Sequence, residues 1–448
     1  MVLLMNSFRN KVSSFFQPKD WILVEYPKEP KIRGLILLIL FLTMNFYFWK
    51  SIGQIVPIIP YFLMIYLDVK IIQVFIKSKN QGNRELENKI RYIIHSNKLY
   101  DEENFSEVRE NKRIVSKKEI TRVIRIWYKE TEEKIFLSIE RNGDRFTTKA
   151  TEITEFITSG IGLEHEETVV NIDYVDLTYM KKRPKRLHVT NSYKEQINKS
   201  LNINFGYGIN YSPVDCPHIL VSGGTGSGKS IFISFLIIEL LKRNSNLYIA
   251  DPKNSDLGSL SHYLGIERVA TTPNNIARIV RLAVEEMKKR YEYMNDTKNF
   301  IYGSNFADHG FKPVWILFDE MGAFQANATD KKSKEVVSEV MDGIKQIILL
   351  GRQSGVFCLI SAQQMSANTL NTDLRDNLGL RISLGSNSQE GYRMVFGSAV
   401  PEIIPPIEVK GSGLLYMQGS GKESAQYWES PYVDMKKFDF IEELKKYI

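Results

Sequence analysis

The sequence predicts an α/β fold: a three-layer nucleotide-binding core in the C-terminal half, preceded by a small α+β module and, nearer the N-terminus, a pair of short apolar segments. Three observations carry this. The apolar run "HILVSGGTGSGKS" (His218 to Ser230) breaks abruptly into glycines, hydroxyl residues, a lysine and a serine. From about Leu201 onward, short apolar runs alternate with longer helix-like stretches, the pattern of parallel strands joined by crossover helices. Two uncharged runs lie between residues 34 and 67.

The chain has 448 residues, 43% hydrophobic and 25% charged, enough to bury two or three domain cores. Its formal charge of +7 suits a polyanionic partner or an anionic membrane face. Its two cysteines, Cys216 and Cys358, stand far apart without metal-type spacing, which indicates neither a disulfide framework nor a zinc site and makes a reducing compartment the expectation.

In chain order, residues 1–33 read as a cytoplasmic N-terminal segment. "GLILLILFLTMNFYFW" (Gly34 to Trp49) and "IVPIIPYFLMIYL" (Ile55 to Leu67), separated by a tiny polar turn, predict a two-helix transmembrane hairpin over 34–76. Each run falls short of the ~20 residues that cross a bilayer comfortably, so a partly inserted hairpin and a buried helical pair stay open. Basic residues flank both sides, Arg9 to Arg33 before and Lys77 to Arg91 after. By the positive-inside rule this predicts a multi-pass protein of the cell membrane with both ends cytoplasmic.

Residues 77–200 alternate helix-like stretches with strand-like runs such as "ITRVIRIWY" (Ile120 to Tyr128) and "KIFLSIE" (Lys134 to Glu140), a small α+β module and linker. It closes on the basic cluster "KKRPKRLH" (Lys181 to His188), either a solvated linker or a contact for nucleic acid or lipid headgroups. Residues 201–448 then form the core, with strands expected at "LYIAD" (Leu247 to Asp251), "VWILFDE" (Val314 to Glu320), "VFCLISAQ" (Val356 to Gln363) and "LRISL" (Leu380 to Leu384).

Gly223, Gly224, Thr225, Gly226, Ser227, Gly228, Lys229 and Ser230 fit the phosphate-loop pattern G-x-x-x-x-G-K-[ST] (Walker A), with an apolar strand before and the helix-like "SIFISFLIIELLKR" after. Glycines let backbone N–H groups wrap phosphate oxygens, and the helix N-terminus adds its positive dipole end. On this reading Lys229 reaches the β- and γ-phosphates of ATP, and the Ser230 hydroxyl ligates Mg²⁺. The strand "PVWILFDE" ends in Asp319, expected on the Mg²⁺ shell, and Glu320, expected to polarise the attacking water. "GVFCLISAQQ" ends in two amides, with Gln363 the candidate γ-phosphate sensor and a helix cap the alternative. Arg381, which is expected to open an edge strand, and Arg352 second, are candidates for an arginine supplied to a neighbouring subunit's phosphate; Arg375 lies nearby. Taken singly, such an arginine is more often a surface ion-pair residue.

Together "PHILVSGGTGSGKS", "ADPKNSDL" (Ala250 to Leu257), "EEMKKRYEYM" (Glu285 to Met294), "ILFDEMGAF", "GRQSGVFCLISAQQ", "LRDNLGLRI" and "KGSGLLYMQGSG" (Lys410 to Gly421) resemble, in order and spacing, the FtsK/SpoIIIE family of DNA-translocating ATPases. The resemblance implies a RecA-like motor, usually a hexamer, around double-stranded DNA. It places Lys229, Ser230, Asp319, Glu320 and Gln363 on the family's phosphate, metal, catalytic and sensor positions. Gln364 stands where the family commonly has arginine. The short chain, with a single motor and no winged-helix reader, is most similar to TcpA-type coupling proteins of Gram-positive conjugative plasmids and transposons. That implies a relaxase or relaxosome and conjugation channel proteins as partners. A type VII-like protein-secretion ATPase and a chromosome or plasmid segregation translocase are the alternatives, and a non-enzymatic scaffold is disfavoured by Glu320. Lys253, Lys331, Lys332 and Lys334 are the candidate DNA contacts.

Overall fold

A computed structural model describes residues 20–26, 83–108, 114–190, 200–365, 369–434 and 436–448. Contacts divide the chain into two compact units, one ending at Lys182 and the other running from Arg183 to Ile448.

The first unit is built on a five-stranded antiparallel sheet in the order β1 (Ile22–Leu23), β4 (Ile126–Glu130), β5 (Lys134–Glu140), β7 (Tyr174–Met180) and β6 (Glu164–Val170). Between β1 and β4 in sequence, β2 (Tyr100–Val108) and β3 (Ile114–Val123) form a separate antiparallel pair. Alternate residues of the sheet, among them Ile135, Leu137, Ile139, Val175, Leu177 and Tyr179, turn to one apolar core. The helices α1 (Arg84–Ser96), α2 (Phe146–Glu152) and α3 (Thr154–Ile161) close it with Leu86, Ile90, Ile93, Phe146, Ile157 and Ile161. The helix-and-strand module read from the sequence is therefore an antiparallel sheet with helices, and it recruits Ile22 and Leu23 from the N-terminal segment as an edge strand.

The second unit starts within the basic cluster. Arg186 donates to the Ser430 carbonyl (2.6 Å), the Arg183 guanidinium lies 3.9 Å from the Tyr427 ring centroid, and β8 (His188–Val189) pairs with β19 (Tyr432–Val433). These two arginines therefore strap the start of the unit to its last strands instead of forming a solvated linker. The central sheet has eight strands in the order β13 (Val269–Ala270), β12 (Asn246–Ala250), β14 (Val314–Phe318), β15 (Val356–Ala362), β11 (Ile219–Gly223), β16 (Leu380–Leu384), β17 (Ser412–Met417) and β18 (Gln426–Glu429). Neighbours are parallel as far as β16; β17 and β18 continue the sheet antiparallel. A two-stranded hairpin, β9 (Ile203–Gly206) and β10 (Ile209–Tyr211), precedes it.

The inner strands read as unbroken apolar runs because both faces of the sheet are covered. In β14, Trp315 and Leu317 face one core while Val314, Ile316 and Phe318 face the other. The first core holds α4 (Lys229–Lys242), apolar nearly all round, since the sheet covers one side and Phe205, Trp428 and the segment around α11 (Phe440–Lys445) cover the other. Phe232 of α4 meets Trp428 edge-on with ring centroids 5.3 Å apart. The second core holds α6 (Pro273–Asn295) and α8 (Lys331–Ser354), each with a single apolar stripe. In sequence α5 (Ser261–Leu264) precedes α6, α7 (Met321–Gln325) lies between α6 and α8, and α9 (Thr372–Asp376) and α10 (Gln389–Phe396) follow α8.

Two expectations change. A multi-pass membrane localisation is corrected: among the described residues, no helix is long and apolar enough to cross a membrane. The long helices α6 and α8 are amphipathic, with charged exposed faces that hydrocarbon would not accept. Residues 34–76, on which the hairpin expectation falls, lie outside the described residues. Arg381 does not open an edge strand, because β16 lies between β11 and β17.

Candidate nucleotide site

Strand register assembles the site. The level at which Leu317, Leu359 and Ile219 lie side by side on β14, β15 and β11 puts Asp319 beside Ser361 two residues later, and Glu320 beside Ala362, level with Ser222 just before the glycine loop. Parallel strands thus bring the Gly223 loop, Asp319, Glu320 and Gln363 to one edge of the sheet, the C-terminal edge where α/β proteins place ligands.

The loop from Gly224 to Gly228 joins β11 to α4, and two of its glycines are required by conformation. Gly226 (φ +82°) and Gly228 (φ +103°) occupy left-handed backbone, and at Gly228 a Cβ would also meet the Gly411 Cα at 3.1 Å. A Cβ at Gly224 or Gly226 would enter open space, so this backbone can approach a ligand closely. No side chain caps the N-terminus of α4, which leaves its first-turn N–H groups for an anion. Thr225 and Ser230 are exposed on the same loop and first turn.

Lys229 is buried, and its ammonium donates to Glu320 Oε2 (3.1 Å) and lies 3.9 Å from Asp319 Oδ1. Asp319 Oδ1 accepts the Ser361 hydroxyl (2.7 Å). Glu320 Oε1 accepts the Gln363 backbone N–H (3.2 Å), and the Gln363 side chain is exposed at the end of β15. Glu320 itself sits at φ +52°, a left-handed conformation that is strained for this residue type, and its carboxylate is held by Lys229 and the Gln363 N–H. Lys253 enters the same cluster, its Nζ 3.6 Å from Glu320 Oε2. It projects from a loop organised by the buried Asp251, which accepts the N–H groups of Lys253, Ser255 and Gly258 and the Ser255 hydroxyl.

The remaining expected residues lie elsewhere. Arg381 is level with Leu220, three residues before the loop and so ~10 Å down the strand. It is buried, donates to the Phe396 carbonyl (3.0 Å) and Asp376 (3.3 Å), and stacks on Tyr416. Burial pushes its pKa down from the ordinary value, which Asp376 opposes. Arg375 is likewise spent on Asp376 and the Arg393 carbonyl. Arg352, in the last turn of α8, is exposed and donates to the Val214 carbonyl (3.1 Å). Lys331, Lys332 and Lys334 are exposed on the first turn of α8, after the Asp330–Ser333 capping box.

Sequence reasoning missed Ser361, whose signal was a hydroxyl inside an otherwise apolar strand, and it missed that Lys253, expected at DNA, lies beside the Glu320 carboxylate. Cys216 and Cys358 are free and buried, the Cys216 thiol pushed up to about 12 by burial. Among the described residues no cluster of His, Cys, Asp or Glu could hold a metal on protein ligands alone. A divalent ion here would depend on Ser230, Asp319 and phosphate oxygens together.

A glycine loop at the end of a central parallel strand, its lysine facing two carboxylates that follow β14 on the far side of β15, defines a P-loop nucleotide-binding protein. The model of the FtsK/SpoIIIE family matches residues 201–385. The FtsK domain-containing protein YdcQ of Bacillus subtilis is 30% identical over 365 residues, 80% of this chain and 72% of that protein. The chain belongs to the FtsK/SpoIIIE family. The DNA translocase FtsK of Clostridium acetobutylicum is 29% identical over 201 residues, 42% of this chain and only 25% of its own length. The solved structure of the pCW3 conjugation coupling protein TcpA, in a monomer form with ATPγS, superposes with a TM-score of 0.52 at 17% identity, over 81% of this chain and 99% of that one, a likeness of fold.

Proposed function

We propose that this chain is an ATP-driven translocase of double-stranded DNA, acting as a conjugative coupling protein that feeds DNA to a transfer channel. The observation that carries the ATPase reading is Lys229 held between Asp319 and Glu320 beneath an uncapped helix N-terminus. The loop N–H groups and Lys229 bind the β- and γ-phosphates, which takes the ammonium off the carboxylates. Ser230 and Asp319 would hold Mg²⁺, which would supply positive charge beside the transferring phosphoryl group. Glu320, freed from Lys229, orients water as general base, and Gln363 at the end of β15 senses the γ-phosphate. Family membership supports DNA as substrate and a ring, most simply a homo-hexamer, as the working assembly. The conjugative role rests on the fold likeness to a coupling protein. Relaxase and channel proteins follow from that role. The exposed Lys331, Lys332 and Lys334 are the DNA contacts this reading retains.

The test is ATP hydrolysis by purified protein with and without duplex DNA. Stimulation by DNA, lost in Lys229→Ala by about 10²-fold or more, supports the reading. Hydrolysis indifferent to DNA but raised by a secreted protein substrate would favour a type VII-like secretion ATPase, and wild-type turnover in Lys229→Ala would remove the phosphate-loop assignment.

A further inference from the structure

The geometry points to Lys253 as a positioning residue of the hydrolytic site, the cation that holds the Glu320 carboxylate in place once Lys229 has moved to the phosphates. This deepens the ATPase reading and rests on it.

In this structure Glu320 Oε2 has two ammonium neighbours, Lys229 at 3.1 Å and Lys253 at 3.6 Å. A phosphate loop cannot use Lys229 for both tasks: its ammonium is one point charge, and a γ-phosphate draws it away from the carboxylate. Without a replacement, Glu320 would keep only the Gln363 N–H to hold a side chain on a strained left-handed backbone. Lys253 supplies the replacement from a fixed base. The Ala250 carbonyl at the end of β12 accepts the Asp319 N–H (2.9 Å), so the two chain segments leave the sheet side by side. Immediately after, the four hydrogen bonds to Asp251 hold the loop that carries Lys253. Its side chain is part-exposed and can follow Glu320, whereas the Lys229 ammonium is drawn to the phosphates.

ATP turnover by the full-length wild type, Lys253→Ala, Lys253→Gln and Lys253→Arg, at saturating DNA, tests this, with a fluorescent ATP analogue measuring binding and confirming folded sites. The expected result is a kcat lower by about tenfold to a hundredfold in the Ala and Gln variants, with KM and analogue binding within about threefold of wild type. Lys253→Arg should recover most of the loss, since it returns a cation to the same carboxylate. Wild-type kcat in Lys253→Ala, a change confined to KM, or a defect that is a shallower salt dependence of DNA binding with kcat intact would each overturn the assignment. A wild-type protein without ATP hydrolysis would overturn the parent reading, and this one with it.

Discussion

The Ser361 hydroxyl donates to Asp319 Oδ1 across two neighbouring strands at 2.7 Å. This bond fixes which carboxylate oxygen faces outward, and it does so from the interior of β15, where a hydroxyl has no other task. Ser361→Ala keeps the strand and nearly the volume but frees the carboxylate to rotate. Partners of this kind around metal-binding carboxylates typically contribute about 10-fold to 100-fold in metal affinity or activity. A titration of turnover against Mg²⁺ should show a half-saturating concentration raised by about tenfold, with the melting temperature little changed. An unchanged Mg²⁺ requirement would take Asp319 off the metal.

Glu320→Gln should separate binding from hydrolysis. The amide keeps the shape and, through its oxygen, the bond from the Gln363 N–H, but it cannot take a proton from water. Single-turnover measurements should show ATP retained and hydrolysis slowed by about 10²-fold to 10⁴-fold. Normal single-turnover rates would assign the water-activating role to another group.

The phosphate loop was legible because its requirements are local: glycines at left-handed positions, a lysine at a helix start and an apolar strand before it. The strand carrying Asp319 and Glu320 was legible for the same reason. Lys253 was not, because its place beside Glu320 depends on β12 lying next to β14, although the two are separated in sequence by α6 and a long loop. Arg381 was misplaced because "GLLYM" and "QYWE" were not read as strands. They extend the sheet past β16 and enclose the arginine, whose pairing with Asp376 and stacking on Tyr416 no single-residue argument reveals. Arg183 and Arg186 looked solvated because their partners, Tyr427 and Ser430, come at the far end of the chain.

His218 makes the nucleotide-binding unit acid-sensitive. The ring is fully buried just before β11, at φ +60°, and its Nδ1 accepts the Cys358 backbone N–H (3.1 Å). Burial pushes its pKa down from 6.5 to about 3. The unfolded chain therefore binds a proton near pH 6.5 that the folded chain refuses until about pH 3. The stability from the neutral ring is full above pH 6.5 and falls as pH drops, by about 1.4 kcal/mol per pH unit and about 2 kcal/mol by pH 5. Denaturant titrations of wild type and His218→Asn, whose residue tolerates left-handed backbone, should differ in slope across this window. Equal slopes would show that His218 does not set the acid limit.

If an arginine is supplied between subunits, the contacts within the chain favour Arg352 over Arg381. Arg381 is consumed within its own chain, so Arg381→Ala should lower stability by about 1–3 kcal/mol through the unpaired Phe396 carbonyl and lost stacking, whether or not subunits assemble. Arg352 stands exposed at the end of α8 with one backbone contact, which leaves its guanidinium free to rotate toward a second copy. Arg352→Ala should melt like wild type and bind ATP normally, yet lose about 10³-fold or more in turnover when rings form. Mixing gives the decisive measurement. Neither Lys229→Ala nor Arg352→Ala should hydrolyse ATP alone, but in a mixed ring the intact phosphate loop of the second faces the intact arginine of the first. Partial turnover should return in proportion to such junctions. A mixture as inactive as its components would show that Arg352 does not act across the interface.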